Sequence, residues 1–231
     1  MKRQVDLKEI SDGKLYGSND LVKADCGDCE GCSACCRGMG RSIILDPLDV
    51  FRLTQGLGMS FEELLADKVE LNVVDGLILP NLKMHLSGGG ESGAQGTRDN
   101  METDRREKCG FLSGEGRCMI HAFRPGICRL FPLGRYYENG GFQYFLQVHE
   151  CRKENRAKVK VKKWIDIPDV KKYEKFVNDW HYFLMAKEEY VKENPEEMKK
   201  VAMEILKRFY LTPYAEEDFY SQFEERLQGV S

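Results

Sequence analysis

CGDCEGCSACC, residues 26–36, sets five cysteines in eleven positions, and four more follow at Cys109, Cys118, Cys128 and Cys151. Reading that run decides what kind of fold the chain has. C-x-x-C spacing lets the backbone knuckle around one ion, so that both sulfurs face it. Repeated, it serves zinc knuckles and cubane-type iron–sulfur ligation alike. An all-thiolate set selects zinc or iron–sulfur without separating them. Adjacent side chains diverge, so Cys35 and Cys36 more easily serve two sites, or one site and a spare thiol, than a single small ion.

The compartment decides between metal and disulfides. The N-terminal MKRQVDLKEISDGK has no apolar core of a secretory signal, and no run approaches the eighteen apolar residues of a membrane span. The expected location is the cytoplasm, where thiols stay reduced and cysteine clusters read as metal ligands. With 231 residues, 42% hydrophobic and 32% charged, the chain has enough apolar residues for a core without staples. A formal net charge of -3 disfavours nucleic acid and gives no strong steering field. No membrane is expected as a partner.

Outside the cysteines the signals are local. Residues 1–25 are polar and aperiodic and read as an N-terminal tail. Ile43-Ile44-Leu45 reads as a short buried strand, and Asp46-Pro47 with Asp49 as a helix start. Ser60-Phe61-Glu62-Glu63 resembles a capping box for a second helix over residues 60–68. SGGGESGAQGTRDN, 87–100, reads as a loop. Its literal G-x-G-x-x-G, Gly88, Gly90 and Gly93, lacks the flanking strand and helix that a phosphate site requires. Around Glu138-Asn139-Gly140-Gly141, aromatic strands predict a β-hairpin, and Val159 and Val161 alternate with Lys158, Lys160 and Lys162 as a strand with a solvated lysine face.

The last third is helical. Tyr173, Phe176, Val177, Trp180, Phe183 and Leu184 form one apolar stripe after Pro168-Asp169. Pro195 opens a second helix with Met198, Val201, Ala202, Ile205, Leu206 and Phe209 on one face, and Phe219, Phe223 and Leu227 mark a third.

The downstream cysteines are organised too. Arg124-Pro125 breaks any helix between Cys118 and Cys128 and imposes a turn. Lys108, Arg117, Arg129 and Arg152 each neighbour a cysteine, where a cation would offset the charge of a thiolate centre. His121 and His149 stand close enough in sequence to Cys118 and Cys151 to add nitrogen ligands. The radical-SAM spacing is absent, since Met39 occupies its third cysteine position. So are H-E-x-x-H and G-x-S-x-G.

Together, C-x-x-C-x-x-C-C (Cys29, Cys32, Cys35, Cys36), C-G-F-L (Cys109), R-C-M-I-H-A-F-R-P-G-I-C-R-L-F-P (Cys118, Cys128) and a final Cys151 resemble the YkgJ-type cysteine-cluster family, over roughly residues 26–151. That family is described as zinc- or iron-chelating and often labelled an iron–sulfur oxidoreductase. The resemblance implies that these eight cysteines are the metal ligands, with Cys26 an extra one. Flagellin lysine N-methylases share a similar core, but no methyl-donor site is visible in this chain.

The expected fold is α+β, mostly helical. It has an irregular metal-stabilised cysteine core, a small β-hairpin and a C-terminal helical segment. The expected division is 1–25 tail, 26–165 metal-binding domain with a flexible loop over 87–106, and 166–231 helices packed on it. The leading functional expectation is an iron–sulfur cluster or iron, with redox or modification chemistry and an unidentified redox or protein partner. The alternative is a structural zinc protein with two four-cysteine sites acting as a binding module. A third reading is metal storage or delivery with Cys26 or Cys36 as an exchange ligand.

Overall fold

The computed structural model describes residues 6–27, 29, 32–86, 107–153, 155–215 and 217–229. The glycine-rich loop, with Gly88, Gly90 and Gly93, lies outside the described residues. A single turn, α1 (Leu7–Ile10), is capped by the Asp6 side chain, which accepts from the Lys8 N–H at 2.9 Å. It leads into β1 (Ser11–Tyr16) and β2 (Leu21–Asp25). Residues 11–25 are therefore strands, where the sequence reads as a tail. Only Val22 and Ala24 alternate inward on β2, too short a pattern to stand out. The partners of both strands come from more than a hundred residues away, so no local signal reports the pairing.

After the cysteine run, α2 (Pro47–Leu57) starts where Asp46-Pro47 predicts. Asp46 and Asp49 cap reciprocally: the Asp49 N–H donates to Asp46 Oδ1 at 2.8 Å and the Asp46 N–H to Asp49 Oδ2 at 3.2 Å. Ser60 and Glu63 do the same for α3 (Phe61–Asp67). Next comes an in-register hairpin, β3 (Val69–Val74) and β4 (Leu77–Leu82), turning at Asp75 and Gly76, both with positive φ. Asp-Gly is the signature of such a turn, and it stands in the sequence unread above. The strand expected at Ile43–Leu45 is reduced to one bridge, Ile44 to Asn81. Its neighbour on β4 is Pro80, which accepts from the Leu45 N–H at 2.9 Å but has no N–H to give back.

β5 (Met84–Leu86) pairs with β6 (Glu107–Cys109), setting Cys109 opposite Met84. A short helix α4 (Gly126–Leu130) precedes the expected hairpin, β7 (Leu133–Glu138) and β8 (Gly141–Gln147), with Asn139 and Gly140 at positive φ. β1 joins β8 as a third strand, and β2 pairs with β9 (Ala157–Lys160). The lysine-faced strand stops there. Val161 and Ile165 open and close α5 (Val161–Ile165) and are fully buried one turn apart, so a helical turn replaces the expected alternation.

Asp169 caps α6 (Val170–Glu193), which buries Tyr173, Phe176, Val177 and Trp180 as its stripe predicts. Pro195 begins a 3-10 turn into α7 (Met198–Leu206), which widens into a π-helical turn over Lys207–Leu211 and buries Phe209 and Tyr210. α8 (Phe219–Gln228) buries Phe219 and Phe223. The fold is thus α+β: helices, with small antiparallel sheets. One hydrophobic cluster runs from Val22 through Leu53 and Leu133 to Phe223, and the Tyr210 hydroxyl donates to the Leu45 carbonyl at 3.0 Å. Among the described residues no helix is long and apolar enough to cross a membrane.

Phe209 sits at the centre of the aromatic stack, 5.0 Å from Trp180, 5.3 Å from Phe183 and 5.8 Å from Phe223 between ring centroids. Phe209→Ala is expected to cost about 3–5 kcal/mol, because the surrounding rings cannot collapse into the space. Urea unfolding measures this directly. A loss below about 1 kcal/mol would mean the stack contributes little to the core.

Candidate metal centre

The cysteine run leaves β2 at Cys26 and reverses repeatedly. Gly27 and Cys29 adopt left-handed backbone conformations, and the Cys32 N–H closes on the Cys29 carbonyl at 3.0 Å. Ser33 and Cys36 close the next turn, a 3-10 turn over Ala34–Cys36, in the same way. The Cys26 and Cys29 sulfurs stand 3.4 Å apart. Cys26, Cys29, Cys32 and Cys35 line one cavity with Cys151, which arrives from the β8–β9 connection. Trp164 forms part of the wall, anchored by Nε1 donating to the Leu130 and Phe131 carbonyls at 3.3 and 3.2 Å.

The other cysteines gather through a second set of backbone contacts. Arg37 bridges to Lys108, and the Gly38 N–H donates to the Glu107 carbonyl, so the end of the run lies against β6 and Cys109. A tight loop closed by the Ser113 N–H on the Arg117 carbonyl, with the bridge Leu112 to Cys118, returns Cys118 beside Cys109. Arg124-Pro125 then makes the expected break between the 3-10 turn His121–Phe123 and α4, which carries Cys128. α4 is held down by Asp49 of α2, whose Oδ1 accepts from the buried Gly126 N–H at 2.6 Å.

All nine cysteines are free thiols. Burial pushes Cys29 up to about 12, helped by its contact with Cys26 and by Cys35. Contact with Cys36, then burial, drives Cys35 far up. Burial raises Cys109 and Cys118, opposed by the Phe111 and Ile120 N–H groups and by nearby cations. Cys128 is raised well above the ordinary thiol range by burial and by Cys109, Asp49 and its other neighbours. These five are protonated at neutral pH, and a metal must displace their protons to bind. Among the described residues, no three His, Cys, Asp or Glu side chains yet stand at ligand spacing. The donor set suits zinc or iron nonetheless, because it is sulfur-rich, half-buried and faced by cations.

The cations are only partly those expected. Arg152 lines the cavity and Arg117 acts on Cys118. Arg129 instead turns into the core, 2% exposed, where its three guanidinium nitrogens have no hydrogen-bond partner among the described residues. Arg124, read from sequence only as a turn residue, draws down the thiols of Cys29, Cys35 and Cys118. Lys68 does so for Cys109. His121 Nε2 lies 2.9 Å from Arg124 Nη1, and His149 is exposed at positive φ; the cavity lining includes neither.

Sequence reasoning also missed a carboxylate pair beside the centre. Burial, then the neighbouring Asp49, raises Asp46 to about 8. Asp49 is raised by burial too, but the Arg129 charge and the Gly126 N–H oppose the rise. The signal was Asp-Pro-Leu-Asp, legible only as a helix start.

The chain matches a family model, CxxCxxCC, described as a "Putative zinc- or iron-chelating domain", over residues 28–159, more than half its length. Neither the comparison with curated proteins nor that with solved structures found a match.

Folded Asp46 keeps its proton where an unfolded carboxyl has released it, so between about pH 4 and about 8 the folded state binds more protons. Its contribution is present below that window and lost as pH rises through it. Compared at saturating metal, the native chain is expected to lose stability relative to Asp46→Asn, which still caps α2, as pH rises from about 5 to about 8. Thermal unfolding of both proteins at the two pH values measures the difference; parallel curves would place Asp46 in its ionised form throughout.

Proposed function

The chain belongs to the CxxCxxCC family of zinc- or iron-chelating domains, and we propose that it holds single metal ions through cysteine thiolates. The observation that carries this reading is the arrival of Cys151 at the cavity lined by Cys26, Cys29, Cys32 and Cys35. Thiols are weak hydrogen-bonding groups, so those from distant segments gain little from meeting unless something binds them. The cavity measures about 20 Å³, room for one water-sized species. That favours a lone ion over a cluster. Tetrahedral thiolate sites accept both zinc and iron.

In the zinc case the ion's binding free energy becomes folding free energy for the cysteine run, whose described residues are joined by short turns. An iron–sulfur cluster with redox or modification chemistry is the second reading, favoured by a cysteine count beyond the needs of one ion. It would require the thiols to open around a larger guest, and it would imply a redox partner. Both readings suit a reducing compartment such as the cytoplasm, where the thiols stay available.

Protein purified without oxygen is expected to be colourless or to carry thiolate-bound iron without acid-labile sulfide. Metal and sulfide analysis with a visible spectrum measures this. Matched iron and sulfide with broad visible absorbance would replace the single-ion reading by the cluster. Metal removal is expected to speed proteolysis within residues 26–36 before the C-terminal helices; unchanged digestion would remove any structural role for the ion.

A further inference from the structure

The thiols fall into two groups that meet at Cys35. Cys35, Cys109, Cys118 and Cys128 are near enough that every pair among them is electrostatically coupled. The backbone contacts Arg37–Lys108 and Leu112–Cys118, with the Asp49–Gly126 bond, bring these segments together. Cys26, Cys29, Cys32 and Cys151 share a cavity that Cys35 also lines, so Cys35 is where the two groups meet. Cys36 touches Cys35 but does not line the cavity.

We propose that the chain carries two separate four-thiolate sites, Cys26/Cys29/Cys32/Cys151 and Cys35/Cys109/Cys118/Cys128, with Cys36 outside both. This rests on the metal-chelating reading and goes beyond it, because Cys26 lies ahead of the matched region 28–159 and so outside the family's own pattern. The ligands interleave. The first site takes three sulfurs from the run and one from far downstream, and the second takes one from the run and three from downstream. The run therefore divides between Cys32 and Cys35, with Cys36 left over.

Geometry and charge agree with the division. Around a tetrahedral ion with metal–sulfur bonds of about 2.3 Å, sulfurs stand roughly 3.8 Å apart. The Cys26–Cys29 separation of 3.4 Å is already close to that. Binding requires the remaining sulfurs to move within reach of the ion, each as its proton leaves. A divalent ion with four thiolates carries two net negative charges, so each site needs its own cations. Arg152 and Lys153 line the first cavity; Lys68 and Arg117 act on the second set; Arg124 acts on Cys29, Cys35 and Cys118 and so on both. Each site exchanges up to four thiol protons for one divalent ion, and no electron moves.

The test is zinc stoichiometry of the full chain by native mass spectrometry, with alkylation mapping of unprotected cysteines. The native chain and Cys36→Ser are expected to bind two zinc ions. Cys26→Ser and Cys151→Ser, which alter partly exposed positions, are each expected to lose one. In both, alkylation should then reach Cys29 and Cys32 while Cys35, Cys109, Cys118 and Cys128 stay protected. Cys118→Ser is expected to give the opposite pattern. A Cys26→Ser protein that keeps two ions, or a Cys36→Ser protein that loses one, overturns the partition. One ion in the native chain overturns the partition but leaves metal chelation intact, whereas no zinc and no iron bound would overturn chelation itself.

Discussion

A single buried hydrogen bond, from the Gly126 N–H to Asp49 Oδ1 at 2.6 Å, joins the three parts of this protein. Asp49 belongs to α2, whose start it also caps; Gly126 begins α4, which carries Cys128; and the Tyr173 hydroxyl of α6 crowds the same spot. A Cβ on residue 126 would stand 2.9 Å from that hydroxyl and 3.5 Å from Asp49 Oδ1. Glycine at 126 leaves room for these side chains against its backbone. The segment that carries Cys128 is thereby held against the helical core.

The polar groups at this junction are unusual in a chain otherwise packed on apolar side chains. Arg135 donates to the Tyr173 hydroxyl at 2.7 Å, and Arg129 lies buried near Asp49. Burial raises both carboxyls, and the Arg129 and Arg135 guanidiniums oppose that rise. Their position behind Cys128 means that charge gathered at the thiols is felt in the core, and the core's charges are felt at the thiols.

The cysteine region contrasts with that junction. Its backbone is held by short turns and single bridges rather than by sheets, and burial and neighbouring thiols oppose ionisation at Cys29 and Cys128. Such a segment is held in place from outside, by β6, by α4 and by the β8–β9 connection. An ion would supply from within the order that hydrogen bonds do not.

What the sequence determined alone was whatever depends on near neighbours. Asp46, Ser60 and Asp169 announced their helices because a cap is satisfied within one turn, and Asn139-Gly140 announced a hairpin because its twist is set at the turn. The apolar stripes of α6 and α7 were legible from their period, and the cysteine spacing and R-P-x-x-C-R-x-F-P marked the family. Tertiary structure alone decided the rest. It made residues 11–25 into strands, since their partners are distant. It turned Val161 into a helix, buried Arg129, brought Arg124 to the thiols and sorted the nine cysteines by neighbour. Each of these depends on which segments meet in space, and that is fixed by packing of the whole core, not by the order of residues along any one stretch.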